Sequence, residues 1–162
     1  MASYNDLVPK HRLFMEAYPF SRYASGVAPC TKLLKPLRVA RIALITTAGL
    51  RTPDQEAFDK SIIGGDSSFR EIPNSAATST LIESQKSSAF DHSGILTDAN
   101  LAFPLDRFRE LLENGEFGSL NERHFSFMGS ITDPEILIEE SAPKVAEQLR
   151  GDGVDIAFLT PV

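Results

Sequence analysis

Short apolar runs separated by longer polar stretches mark this chain, and their spacing predicts alternating helices and strands. Leu13, Phe14, Ala17 and Tyr18 recur at helical spacing between Pro9 and Pro19, so a short amphipathic helix is expected over Leu7–Tyr18, packed as an arm. Arg38 to Thr47 then runs almost continuously apolar and β-branched up to Ala48-Gly49, the pattern of a strand buried on both faces. Pro104 and Gly115 bracket a helix carrying Leu105, Phe108, Leu111 and Leu112. His124 to Met128 alternates aromatic with polar residues, as a strand does. Thr132-Asp133-Pro134-Glu135 offers a capping-box start for a helix bearing Ile136, Leu137, Val145, Ala146 and Leu149, which Pro143 should kink or split. Gly151-Asp152-Gly153 ends that helix, and Val154 to Thr160 predicts a second strand of the buried kind.

Helix, glycine stop and apolar strand form the repeating unit of βαβ folds. The predicted fold is therefore α/β, an open, mostly parallel, doubly wound (Rossmann-like) sheet that is incomplete at the C-terminus. Its expected organisation is an N-terminal helical arm over residues 1–37 and an α/β domain over 38–162. In such sheets ligands sit outside the carboxyl ends of the strands, which places Thr46-Thr47-Ala48-Gly49 and Thr160-Pro161-Val162 on one rim. One stretch does not fit the alternation: from Gly64 to Asp98 the chain is polar, with eight serines. That is too long for an ordinary connector, so an insertion, a lid or a partly mobile segment is expected there.

Composition narrows the class without changing the fold. A chain of 162 residues with 42% hydrophobic and 23% charged residues suits one globular core. No apolar run approaches the roughly 20 residues of a membrane span, and Met1 to Pro9 lacks a leader pattern, so a soluble, cytoplasmic protein is expected. The net charge of −6 argues against nucleic acid as a partner, although residues 1–41 carry seven Lys/Arg against two acids. Those basic side chains suit either an acidic partner or a solvated face. Cys30, the single cysteine, can form neither an internal disulfide nor a thiolate metal site, and is expected as a small, partly buried apolar residue.

Candidate chemistry is sparse. There is no phosphate-binding glycine loop, nucleophile elbow, zinc-protease helix or dinucleotide fingerprint, so neither a standard cofactor nor a metal is expected in this chain. His92 and His124 could each act as a general acid or base, or serve structurally. Thr46 and Thr47 could offer hydroxyls to a carboxylate, or close a strand through packing alone. Arg70 could clamp a carboxylate or pair with Glu71.

Five phrases in order carry a resemblance over roughly residues 38 to 162: Ala43-Leu44-Ile45-Thr46-Thr47-Ala48-Gly49, Gly65-Asp66-Ser67-Ser68-Phe69-Arg70-Glu71-Ile72-Pro73, Phe103-Pro104-Leu105-Asp106-Arg107, His124-Phe125-Ser126-Phe127-Met128-Gly129 and Leu159-Thr160-Pro161-Val162. They resemble the glycine/sarcosine/betaine/D-proline reductase selenoprotein B family. The resemblance implies a subunit of a selenol- or thiol-dependent reductase that cleaves a carbon–nitrogen bond in a small amino-acid-derived substrate. It implies a partner reductase subunit, and leaves self-association open. It also implies a selenocysteine or cysteine redox centre a few residues beyond Val162. Because UGA encodes both selenocysteine and stop, the reading frame is expected to have been closed at a recoding site, leaving this chain without its nucleophile. Thr46, Thr47, His124, Ser126 and Thr160 would then line the substrate pocket. His92 would join them from a loop, Leu81 to Ser93, that departs from the family pattern. The alternative is a non-catalytic α/β module that holds a small carboxylate or a protein at the same rim.

Overall fold

The computed structural model describes residues 4–17, 31–87 and 92–162. Cys30, Tyr18 and four residues of the serine-rich segment, 88–91, lie outside them. The chain divides into two compact units, Met1–Lys32 and Leu33–Val162. In the first, helix α1 spans Pro9–Ala17, begins at the expected proline, and carries an Arg12–Glu16 ion pair at 2.8 Å one turn apart.

The second unit is built on strand β1, Arg41–Thr46. On one side β1 pairs in parallel with β5, Ser119–Leu120, and then with β6, Arg123–Phe127. Ile42 faces Leu120 whereas Ile45 faces Phe125, so four residues, Asn121 to His124, stand against two, Ala43 and Leu44, and the strand is interrupted just after Asn121 N donates to Ile42 O at 2.8 Å. On its other side β1 pairs in parallel with β7, Ile156–Thr160, in unbroken register from Ile42↔Ile156 to Thr46↔Thr160. Strand β3, Phe69–Pro73, lies antiparallel on the outer edge of β6. A separate two-stranded ribbon joins β2, Leu50–Arg51, to β4, Ile82–Glu83. The architecture is thus mixed α/β, with an open, mostly parallel sheet.

Side chains of β1 alternate between two cores, as strand geometry requires. Ile42 and Leu44 pack with Phe103, Leu105 and Phe117 on the face that carries helix α3, Leu105–Glu113. Ala43 packs with Phe125, Phe127, Val145 and Leu149 on the face that carries helix α4, Ala142–Gly151. Burying Phe103 and Phe125 completely contributes on the order of 2–3 kcal/mol each. Both helices end as expected. Gly115 and Gly153 adopt φ of 72° and 71°, and each closes a Schellman pair: Glu116 N to Leu111 O with Gly115 N to Leu112 O, and Val154 N to Leu149 O with Gly153 N to Arg150 O. Pro143 does split its helix. Because it has no N–H to offer, the ladder slips into a π-helical turn over Leu137–Ser141, and Ala142 N bonds Leu137 O before α4 proper begins.

Two expectations need correction. Strand β7 is parallel and in place, but it is not of the buried kind: among the described residues only β1 pairs with it, and Phe158 and Leu159 are 40% and 65% exposed. Leu111 also lies at the surface, because Leu105, Phe108 and Leu112 alone occupy the face of α3 turned to the core, and Ile136, just before the π-helical turn, is exposed as well. The serine-rich segment is largely built structure. It contains β3, β4, a 3-10 turn at Thr78–Thr80 and α2, Ser93–Thr97. Two residues of α3 stitch it down: Asp106 accepts from the Thr78 hydroxyl and from Asn100 Nδ2 (2.9 Å), while Arg109 donates to Asn74 O and to Ala76 O (2.8 Å).

Candidate functional site

The carboxyl ends of β1 and β7 meet as the chain's topology requires, and hydroxyls join them. Thr46 Oγ1 donates to Thr160 O at 3.3 Å and accepts from Ala48 N at 3.1 Å. Thr160 Oγ1 donates to Ile45 O at 3.2 Å. Thr47 Oγ1 donates to Val162 O at 3.3 Å and accepts from Val162 N at 2.8 Å. Ser126 is the β6 partner of Thr46, and its Oγ accepts from Leu50 N at 2.8 Å, which ties β2 over the sheet. Thr46, Thr47, Ser126 and Thr160 are therefore brought to one rim. Thr46 and Ser126 are fully buried there, with hydroxyls engaged by backbone.

His124 lies one pleat below Ser126 on the same face and is also fully buried. Its Nδ1 accepts from Leu44 N at 3.1 Å, which assigns the proton to Nε2, the atom 3.4 Å from Asn74 Oδ1. Phe103 packs edge-on against the ring at 5.9 Å. Burial pushes the imidazole pKa down to about 4, and the nearby Arg109 charge acts in the same direction. At neutral pH His124 is an uncharged bridge between β6, β1 and the Asn74 turn.

His92 stands apart from these residues. Its Nδ1 lies 2.7 Å from Glu83 Oε1 and its Nε2 lies 2.7 Å from Ser87 O. Two acceptors on two ring nitrogens suit the doubly protonated imidazolium, and the Glu83 hydrogen bond raises the pKa above the ordinary histidine value. Glu83 also lines a cleft of about 350 Å³ together with Thr78, Asp98 and Asp106.

Pattern reading missed the residues that buttress the rim. Gln85, 4% exposed, donates from Nε2 to Thr47 O at 3.0 Å, and Ser84 N donates to Gly49 O at 2.8 Å, so the β4 segment clasps the turn after β1. A polar residue in a polar stretch gives no periodic signal. Gly129 is equally close-fitting: a Cβ there would stand 2.9 Å from both Thr47 O and Val162 O and 2.6 Å from Gln85 Nε2. Gly129→Ala is expected to lower stability by about 1–2 kcal/mol, since Gln85 can swing aside but the carbonyls cannot. Chemical denaturation would show the loss as a lower midpoint at unchanged slope, and a wild-type midpoint would contradict the close fit.

Arg70 does not pair with Glu71. It donates instead to Glu56 O (2.8 Å), Ala57 O (3.1 Å) and Ser68 Oγ (2.9 Å), and its guanidinium stacks 4.2 Å over the Phe58 ring, so it folds the 56–58 loop onto β3. Glu71 faces Arg123 at 3.6 Å, and Arg123 in turn grips Asp152 with two hydrogen bonds of 2.8 Å.

An open, mostly parallel sheet with hydroxyl side chains joining the carboxyl ends of β1 and β7 defines a mixed α/β class of protein. A family model described as glycine/sarcosine/betaine reductase selenoprotein B matches residues 10–162, and the chain belongs to this family. D-proline reductase subunit gamma of Acetoanaerobium sticklandii is 35% identical over 132 residues, 82% of this chain and 51% of that relative. The chain thus spans about half the length of the curated relative it matches. No solved structure matches it. No helix among the described residues is long and apolar enough to cross a membrane.

Proposed function

We propose that this chain supplies the substrate-facing sheet of a subunit in a selenol- or thiol-dependent reductase complex. The observation that carries this reading is the joined rim of β1 and β7, where Thr46, Thr47, Thr160 and Val162 interlock at the carboxyl ends of in-register parallel strands. In doubly wound sheets such ends are where ligands sit, and α3 and α4 on opposite faces of β1 suit that arrangement. The selenol or thiol would come from outside these 162 residues. It would attack the substrate carbon and expel the amine, forming a C–Se or C–S bond; a neighbouring thiol would then attack that selenium or sulfur, releasing the carbon fragment to take up a proton and leaving a selenenylsulfide or disulfide that an external dithiol reduces. Family membership and the D-proline reductase relative support a small amino-acid-type substrate, such as D-proline, glycine, sarcosine or betaine, and partner subunits.

In this reading Thr47 and Thr160 hold the rim that receives the substrate, and His124 and Ser126 fix β6 beneath it. His92 would act from the β4 loop. Affinity purification of the tagged chain from its native cells, followed by dithiol-dependent reduction assays with those four substrates, tests the proposal. Turnover with one of them is expected, and Thr47→Val should lower kcat/KM about tenfold, the cost of one lost hydrogen bond. A complex inactive on all four would sink it. One observation favours a non-catalytic module instead: the hydroxyls of Thr46 and Ser126 and both ring nitrogens of His124 are already engaged within the fold.

A further inference from the structure

Two exposed apolar patches on this chain carry opposite charge. The first is the strip that leads into β1, residues 33–39, every one of which is exposed. Leu33, Leu34, Leu37 and Val39 turn aliphatic side chains to solvent, Leu34 to the extent of 92%. Surfaces that stay in water seldom gather so many in so short a run. Residues 33–41 also hold three Lys/Arg and no acid. Lys35 is anchored to Asp155 at 2.9 Å, while Arg38 has no ion pair among the described residues.

The second patch is a groove of about 270 Å³ between residues 62–68 and residues 133–136. Ile62, Ile63 and Ile136 form its apolar wall, and Ile63 is 96% exposed. Asp66, at one side, is turned inward onto Asp59 N and Ser68 N. Asp133 and Glu135 face solvent and have no ion pair among the described residues. Lys86 donates to Ile62 O at 2.8 Å, so one cation stands beside these three carboxylates and the balance is negative. The acidic character continues along the chain, since residues 131–143 carry four acids and no Lys/Arg.

The sheet holds the two patches at opposite ends. The strip precedes the amino end of β1, and its Lys35 grips Asp155 just ahead of β7. The groove lies past the carboxyl end of β6, which runs parallel to β1, where Thr132 N donates to Gly64 O at 2.7 Å. The six residues of β1 set these ends about 20 Å apart. An anchored strip therefore cannot lie in the groove of its own chain, whereas that of a second copy can.

We infer that the groove receives the 33–39 strip of a second copy of this chain, with Leu34 and Leu37 against Ile62, Ile63 and Ile136 and with Arg38 facing Asp133 and Glu135. Apolar contact supplies the attraction and the opposed charges fix which patch meets which. The contact is heterologous: a pair still has one strip and one groove open, so association continues into a ring or a filament. It also sets the strip of one copy at the end of the sheet that carries the rim of the next. The inference is independent of the reductase reading, because association requires no turnover.

Sedimentation of the 162-residue chain is expected to show species heavier than the 17.8 kDa monomer, with a Kd on the order of 10–100 µM, as befits a small contact. Raising the ionic strength from about 0.05 M to about 0.5 M should weaken association about tenfold. Two double variants isolate the halves: Leu34→Ser with Arg38→Ser removes the strip, and Ile63→Ser with Glu135→Gln removes the groove. Each alone should be monomeric. Mixed, they should form a 1:1 pair and grow no further, because one keeps only its groove and the other only its strip. All four positions are exposed, so thermal midpoints like that of the wild type show that both variants are folded. A wild type that stays monomeric up to about 1 mM would overturn the inference, even if another subunit of the complex bound through these residues. So would a variant that associates as the wild type does, or two monomeric variants that fail to pair when mixed.

Discussion

Replacing His124 with leucine is expected to lower the unfolding free energy by about 2–3 kcal/mol, although the substitution keeps the core apolar and nearly the same size. The loss arises because Leu44 N–H, in the middle of β1, currently donates to His124 Nδ1 and would be left without an acceptor in a fully buried position. The same histidine makes stability depend on pH. Its folded pKa of about 4 lies below the unfolded value near 6.5, so only the unfolded chain takes up a proton between these limits. Its contribution is fully present above pH 6.5 and is lost as the pH falls towards 4. The size is on the order of 3 kcal/mol, from about 1.4 kcal/mol per unit. His92 acts in the opposite sense: with its folded pKa raised, its contribution is present below 6.5 and declines as the pH rises through the folded value. Urea midpoints measured across this range should fall on the acid side in the wild type and flatten in His124→Leu. A His124 ring that titrates near 6.5 by NMR would refute the buried, neutral assignment.

Gly118→Ala is expected to cost about 3 kcal/mol or more. A Cβ at this position would lie 2.5 Å from Val39 C, 2.7 Å from its Cα and 2.9 Å from its O, all backbone atoms that no rotamer change can move. The contact is made where β5 starts beside the lead-in to β1, and Gly118 N and Ser119 N both donate to Ala40 O there. Relief would require prising apart the first rung of the parallel ladder. Gly151→Ala is the internal control: a Cβ at that helical position meets nothing within 4 Å. It should hold or raise stability by up to about 1 kcal/mol through helix propensity. Similar thermal midpoints for the two variants would contradict the packing described at Gly118.

Most of the framework was legible because the local signals agreed with the tertiary outcome. The apolar run of β1 reflects burial on two faces, and the glycines at 115 and 153 mark helix ends that only a left-handed residue closes cheaply. Strand β3 was not legible: Phe69-Arg70-Glu71-Ile72-Pro73 has one outer edge, mixed polarity and a terminal proline, and only pairing with β6 makes it a strand. The exposure of β7 was hidden for the opposite reason, since Ile156 to Leu159 reads as apolar whether or not anything covers it. At the rim, residue types were visible but their partners were not. A threonine in a sequence does not show whether its hydroxyl faces a ligand or, as at Thr46, a carbonyl 114 positions away.

That separation has a consequence for how the protein is made. β1 leaves the ribosome early, but its β7 partner is synthesised 114 residues later. At roughly 5–20 residues per second this leaves one edge of the central strand bare for on the order of 6–20 s. The partner of Thr46 in β6, Ser126, follows 80 residues after it and the partner in β7, Thr160, 114 residues after it, so both edges of β1 are bare at first, the two halves of the rim mature at different times, and nascent chains spend seconds with an apolar strand open to chaperones or to each other.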